Sequence, residues 1–138
     1  NKLFIMSKSK SEIIQRIHGN SSKVSLLLAG GGTNFVNDLL TEPGASRTIL
    51  DLQIPYSESS MIKILGGRPN KFVSLSVAKK MAKIAYSRSL FLRINRDPVL
   101  GLACTASIAT ERSKKGSHDY LDDSGNVSND RRCFVWFR

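Results

Sequence analysis

Three consecutive glycines, Gly30-Gly31-Gly32, constrain this chain more than any other feature. Before them, Val24 and Leu26-Leu27-Leu28 form the short apolar run of a buried strand. After them, Phe35, Val36, Leu39 and Leu40 recur at the spacing of one helix face. Residues 23–29 therefore read as a strand, 30–32 as a glycine loop and the segment beyond as a helix. A strand that runs straight into a helix needs a crossover before the next strand, so the sheet is expected to be largely parallel.

The rest of the chain repeats that grammar. Ser9-Lys10-Ser11-Glu12 has the pattern of a capping box, followed by Ile13, Ile14 and Ile17 at helical spacing and a stop at Gly19. His18 falls in the last turn of that helix, where an imidazole interacts with the helix dipole. Pro43-Gly44 ends the second helix, residues 48–54 supply a second strand, and Pro55 closes it. Ser57 caps a third helix that runs to Leu65 and stops at Gly66-Gly67. From Ser76 onward, Val77, Met81, Ile84 and Ala85 make an apolar stripe with Lys79, Lys80 and Lys83 opposite, the mark of a long surface helix. Residues 99–108 form an uncharged third strand, expected to be central. Beyond Ser113 the chain turns polar, with a turn signal at Asp123-Ser124-Gly125-Asn126 and a last apolar run at 133–137. That run reads as an edge strand or as a plug on a partner. The expected fold is α/β: three-layer, with a mostly parallel sheet and helices on both faces, and an atypical or incomplete C-terminus.

At 138 residues and 41% hydrophobic, the chain suits one domain spanning 1–138. Its 21 Lys+Arg against 11 Asp+Glu give a net charge of +10, a field that attracts nucleic acid, anionic lipid or phosphate-bearing ligands. No apolar run nears the roughly 20 residues of a membrane span, so the expectation is a soluble intracellular protein. A start at Asn1 and the basic charge fit a processed mitochondrial protein and fit a trimmed chain equally well. Cys104 and Cys133 form no C-x-x-C pair and read as reduced, buried thiols. Neither His18 nor His118 has a metal-like neighbour, and Asp122-Asp123 sits in a solvated turn, so no metal and no cofactor are expected. The glycine loop lacks the Walker and G-x-G-x-x-G spacings. Gly30, Gly31, Gly32 and Thr33 remain a candidate cradle for a phosphate or carboxylate, set against a tight turn with no room for side chains. Lys79, Lys80 and Lys83, within the basic stretch 71–96, are candidates for contact with RNA or a protein assembly, set against a solvated helix face.

The motifs also carry a family resemblance. The glycine loop, Leu39-Leu40-Thr41-Glu42-Pro43-Gly44-Ala45-Ser46, then Pro55-Tyr56-Ser57 with Leu65-Gly66 after it, resemble the CinA C-terminal domain, the nicotinamide-nucleotide amidase family. Residues 74–86 are similar to its V-S-x-x-x-A-x-x-M-A helix, and residues 102–109 to its V-T-G-I-A-G strand and loop. The likeness is strongest over 24–116, with 117–138 a divergent tail. The A-G-G-G loop, and a third strand T-G/A-S-x-A-T followed by R-x-K-x-G-x-H with its counterpart at 109–118, resemble the eukaryotic CinA-like branch in particular.

The resemblance implies a three-layer α/β fold and metal-free hydrolysis of nicotinamide mononucleotide to nicotinate mononucleotide and ammonia. That chemistry uses a serine nucleophile in an S-C-T-G-G loop and a lysine five residues after the tyrosine. Matched without gaps, the serine position falls on Ala29 and the lysine position on Met61, while Tyr56 and Thr105 keep family positions. Alanine offers no nucleophile and methionine no base. Thr33, Ser57 or Ser60 with Lys63 would be substitutes only after a shift in register. Two residues turn a helix by about 200°, so Lys63 points away from Met61. The expected ligand contacts are Gly30, Gly31, Gly32, Thr33, Ser57 and Arg112, the last offering a planar fork for phosphate.

Three readings follow. The first is a CinA-like domain without the amidase pair, kept as a nucleotide-binding, small-molecule-binding or structural module. The second is a basic scaffold subunit of a larger organellar ribonucleoprotein or protein assembly. The third is an active amidase. A homo-oligomer is compatible with each.

Overall fold

Ser9, Ser57 and Ser74 each accept a backbone hydrogen bond and begin a helix, and glycines end two of those three. In the computed structural model, which describes residues 8–107, 119–121, 127–129 and 133–138, α1 (Lys10–His18) starts in a complete capping box between Ser9 and Glu12. The strand β1 (Lys23–Ala29) leads through the glycine loop into α2 (Thr33–Thr41). A short 3-10 turn (Ala45–Arg47) precedes β2 (Ile49–Gln53). Ser57 accepts from the Ser60 amide to open α3 (Glu58–Leu65), and Gly66 at φ 77° closes it. Ser74 does the same for α4 (Leu75–Leu92), the longest helix, which begins one residue before Ser76. After β3 (Val99–Ala106) come β4 (Asp119–Leu121), β5 (Val127–Asn129) and β6 (Cys133–Phe137).

The sheet order is β2-β1-β3-β6. Strands β1, β2 and β3 run parallel, and β6 adds an antiparallel edge on β3. The terminal apolar run is thus an edge strand; β4 and β5 form a separate antiparallel pair. The fold is α/β, with helices on both faces of a mostly parallel sheet. Alternation along β1 divides the core between those faces. Leu27 and Ala29 join Met61, Leu65, Met81 and Ala103 beneath α3 and α4. Leu26 joins Ile14 and Leu39 beneath α1 and α2.

Two close approaches fix the layers. A Cβ on Gly101 would lie 2.2 Å from the Tyr86 amide nitrogen and 2.3 Å from the Ala82 carbonyl oxygen, so α4 rests directly on the β3 backbone. Nearby, the Ser89 hydroxyl donates to the Leu100 carbonyl at 2.8 Å. On the other face His18 is buried between Thr48 Oγ1 at 3.1 Å and the Leu39 carbonyl at 2.8 Å. This corrects the expectation of a simple dipole partner: its ring joins α1 to α2 and to the start of β2. The expected helix face after the glycine loop is also narrower, since Leu39 is buried but Phe35 and Leu40 are exposed. Cys104 is buried as expected, whereas the side chain of Cys133 lies outside the described residues.

Among the described residues no helix is long and apolar enough to cross a membrane.

Candidate functional site

The C-terminal ends of parallel strands are where open α/β sheets place their ligand crevices. Here those ends bring Ala29 and Thr105 together, as direct register partners on β1 and β3. Ala29 belongs to the buried apolar cluster to which α3 contributes Met61. Ala29 is 9% exposed and Met61 4% exposed. Thr105 is buried too, and its hydroxyl donates to the Phe72 carbonyl at 2.9 Å, so its proton is held by the backbone ahead of α4.

The glycine loop packs against the end of β3. Gly30 adopts φ +75°, and a Cβ there would sit 2.0 Å from the Ala106 carbonyl oxygen, a distance no side chain tolerates. A Cβ on Gly31 would lie 2.9 Å from that of Ala106. Gly32, also at positive φ, is the N-cap of α2 and supplies no side-chain cap, so Thr33 begins the helix exposed at the surface. The loop therefore meets the requirement of a tight turn at Gly30 and Gly31, while the start of α2 faces solvent.

The other expected site residues spread outward from this point. Tyr56 is 93% exposed. Ser57 Oγ is occupied in capping α3, at 3.1 Å from the Ser60 amide, and lies 3.0 Å from Ser59 Oγ. Lys63 is exposed on the opposite side of α3 from buried Met61, as the helix phase requires. Arg112 lies outside the described residues, as do His118 and the Asp122-Asp123 pair. Among the described residues no group of three or more His, Cys, Asp or Glu side chains is placed to hold a metal.

Lys79, Lys80 and Lys83 are exposed along α4. Lys79 Nζ lies 4.6 Å from the centre of the Trp136 ring on β6, a cation–π contact. The Arg138 guanidinium lies 5.8 Å from the centre of the Tyr86 ring. Of the other basic residues in that stretch, Arg88 pairs with Asp51 at 3.0 Å and Arg93 Nη1 donates to the Asp97 carbonyl at 3.1 Å. Lys79, Lys80 and Lys83 thus form a basic face on the first half of α4 that borders β6, while Lys71 and Arg96 are exposed elsewhere in the stretch.

Two of the cavities among the described residues lie on opposite faces of the sheet. One, of about 250 Å³, lies between β1, β2 and the second half of α4, and Ser25, Asp51, Arg88 and Phe91 line it. The other, of about 310 Å³, is an apolar groove on the opposite face, lined by Phe35, Leu39, Leu102 and Phe137 among others. Neither is lined by Gly30, Thr33, Tyr56, Ser57 or Thr105. The first escaped the sequence reading, although a serine inside the apolar run of β1 was the signal that could have marked it.

Strand order and crossovers define an α/β domain with helices on both faces of its main sheet, and at the C-terminal end of β1 Ala29 lies in a buried apolar cluster. No family model matches the sequence, and no curated protein matches it. Solved structures do. The competence/damage-inducible protein CihA of Agrobacterium tumefaciens superposes with a TM-score of 0.60 at 18% identity, over 94% of this chain and 83% of its own. A CinA-superfamily protein of Enterobacter cloacae gives 0.61 at 12% identity, over 100% and 82%. A third, from Escherichia coli, gives 0.50 at 15% identity, over 94% and 73%. The chain has the CinA-like fold.

Proposed function

We propose that this chain is a CinA-like domain without the family's amidase chemistry, serving as a non-catalytic binding or structural module. One observation carries the reading: Ala29 and Met61, the positions that match the family's nucleophile and base, belong to one buried apolar cluster. An amide is attacked only by an atom with a lone pair and a group able to take its proton. Here the first position ends in a methyl group and the second in a thioether. Thr105, the remaining hydroxyl beside Ala29, donates its proton to the Phe72 carbonyl. Ser57 is engaged in capping, and Lys63 lies on the exposed side of α3 opposite buried Met61, which supports the same reading.

The test is release of ammonia from nicotinamide mononucleotide by the purified full chain. The expected rate equals that of buffer alone; turnover proportional to protein concentration overturns the reading.

The scaffold reading draws on a different observation. Lys79 stacked on Trp136, with Lys80 and Lys83 exposed along the same helix, forms a cationic surface with an aromatic ring in it. Such surfaces suit nucleic acid, in which phosphates meet lysines and bases meet rings. RNA within a larger assembly is the partner this surface fits, and its test belongs to the α4 face.

A further inference from the structure

The outer strand β6 turns part of its backbone away from the sheet. Arg138 and Gly101 exchange both backbone hydrogen bonds, at 2.8 and 2.9 Å, and so form a hydrogen-bonded pair of the antiparallel ladder with β3. Such pairs alternate along a ladder, and the register Leu102↔Phe137, Ala103↔Trp136, Cys104↔Val135, Thr105↔Phe134 continues from it without a break. Trp136 and Phe134 therefore point their N–H and C=O groups at β3, whereas Phe137, Val135 and Cys133 point theirs outward. Among the described residues no strand lies on that outer side.

Strand edges are ordinarily protected by a charge, a proline or a bulge. Residues 133–137, Cys-Phe-Val-Trp-Phe, carry no charge and no proline, and their pairing with β3 has no bulge. Their side chains are exposed as well, Val135 at 56% and Phe137 at 70%. Phe137 borders the apolar groove together with Leu102, and Leu100 beside it is exposed. On the other face of the strand Trp136 lies against Lys79.

We propose that β6 pairs with β6 of a second copy of this chain, antiparallel about a two-fold axis at Val135, so that one sheet runs through both molecules. The outward groups at 133, 135 and 137 are symmetric about residue 135, which is the condition an isologous contact imposes and a foreign strand does not need. In that pairing Val135 faces the partner's Val135 and Cys133 faces the partner's Phe137, and each outward N–H meets an outward C=O. Between them Phe134 falls opposite the partner's Trp136, an aromatic cross-strand pair that the symmetry makes twice. The contact sets no like charges against each other within the strand, although each chain carries a net charge of +10. The inference concerns assembly, and it does not depend on the function proposed above.

The experiment is amide hydrogen exchange on the isotope-labelled full chain at low and high concentration, with sedimentation equilibrium on the same samples. The average mass is expected to rise with concentration toward twice that of one chain. Protection of the Val135 and Phe137 amides is expected to rise with it, while Phe134, Trp136 and Arg138, bonded to β3, stay protected throughout. Val135→Pro removes only an N–H that points away from β3, and Val135→Lys sets two like charges opposite each other at an exposed position. Each variant is expected to weaken the dimer at least about tenfold and to leave the melting temperature of the dilute chain nearly unchanged. Three results overturn the proposal. A single-chain mass at concentrations up to about 1 mM leaves the edge to a strand from another protein. Full protection of Val135 and Phe137 in the dilute monomer means that another segment of this chain fills the edge. A dimer that both variants form as tightly as the unmodified chain pairs through a different surface.

Discussion

At the scale of single residues, the account depends on what surrounds positions 29 and 61. Met61 sits 4% exposed in one apolar cluster with Leu65, Val77 and Met81. Met61→Lys, the residue type the family uses there, therefore places an ammonium in the core. A loss of about 3 kcal/mol or more in denaturant-unfolding stability is expected, against under about 1.5 kcal/mol for Met61→Leu. Equal stability of the two variants would mean that position 61 opens to solvent. Both substitutions were legible from the sequence once the motifs were aligned, because each is a change of residue type at a fixed spacing. Their burial was not, since a missing nucleophile in an open pocket and one in a packed core read the same in one dimension. His18 shows the same limit: its place in the last helical turn was readable, but its bonds to Leu39 and Thr48 join residues far apart in the chain.

Among the secondary-structure elements, local signals were strong wherever the chain caps or breaks. The capping box at Ser9, the Ser57 cap and the stops at glycine each name their helix because they satisfy terminal backbone groups within one turn. An edge strand at residues 133–137 was one of two readings of the sequence, but its antiparallel pairing with β3 was not legible, since the intervening sequence carries no periodic pattern. The cleft at Ser25 was missed for a related reason: Ser25, Asp51 and Arg88 come from β1, β2 and α4, and only the sheet register and the crossover of α4 bring them together. The α4 face yields its own prediction. Replacing Lys79, Lys80 and Lys83 together by alanine removes three exposed cations and should leave stability nearly unchanged. If this face binds single-stranded RNA, the triple variant should bind more weakly and its slope of log affinity against log salt should fall by about 2, roughly 0.7 per lost phosphate contact. Fluorescence anisotropy at several salt concentrations reads both quantities; an unchanged slope excludes the face as the RNA contact.

For the whole molecule, a CinA-like sheet persists at 12–18% identity to the solved structures because the layers are held by properties many sequences share. Glycine where α4 meets β3, alternation along β1 and apolar stripes on the helices suffice to specify the architecture. Chemistry is less tolerant, since it needs particular atoms at one end of that sheet. Fold and activity can therefore part, and in the function proposed above they part at positions 29 and 61, which share one buried apolar cluster. The most direct test labels the methionine methyl groups of the unmodified full chain with carbon-13 and measures their relaxation by a soluble paramagnetic probe. With Met61 in the core, its methyl should be protected to the same degree as that of Met81, which is fully buried in the same cluster. Relaxation of the Met61 methyl at the rate of free methionine would mean that the crevice is open at the base position, and would contradict the account.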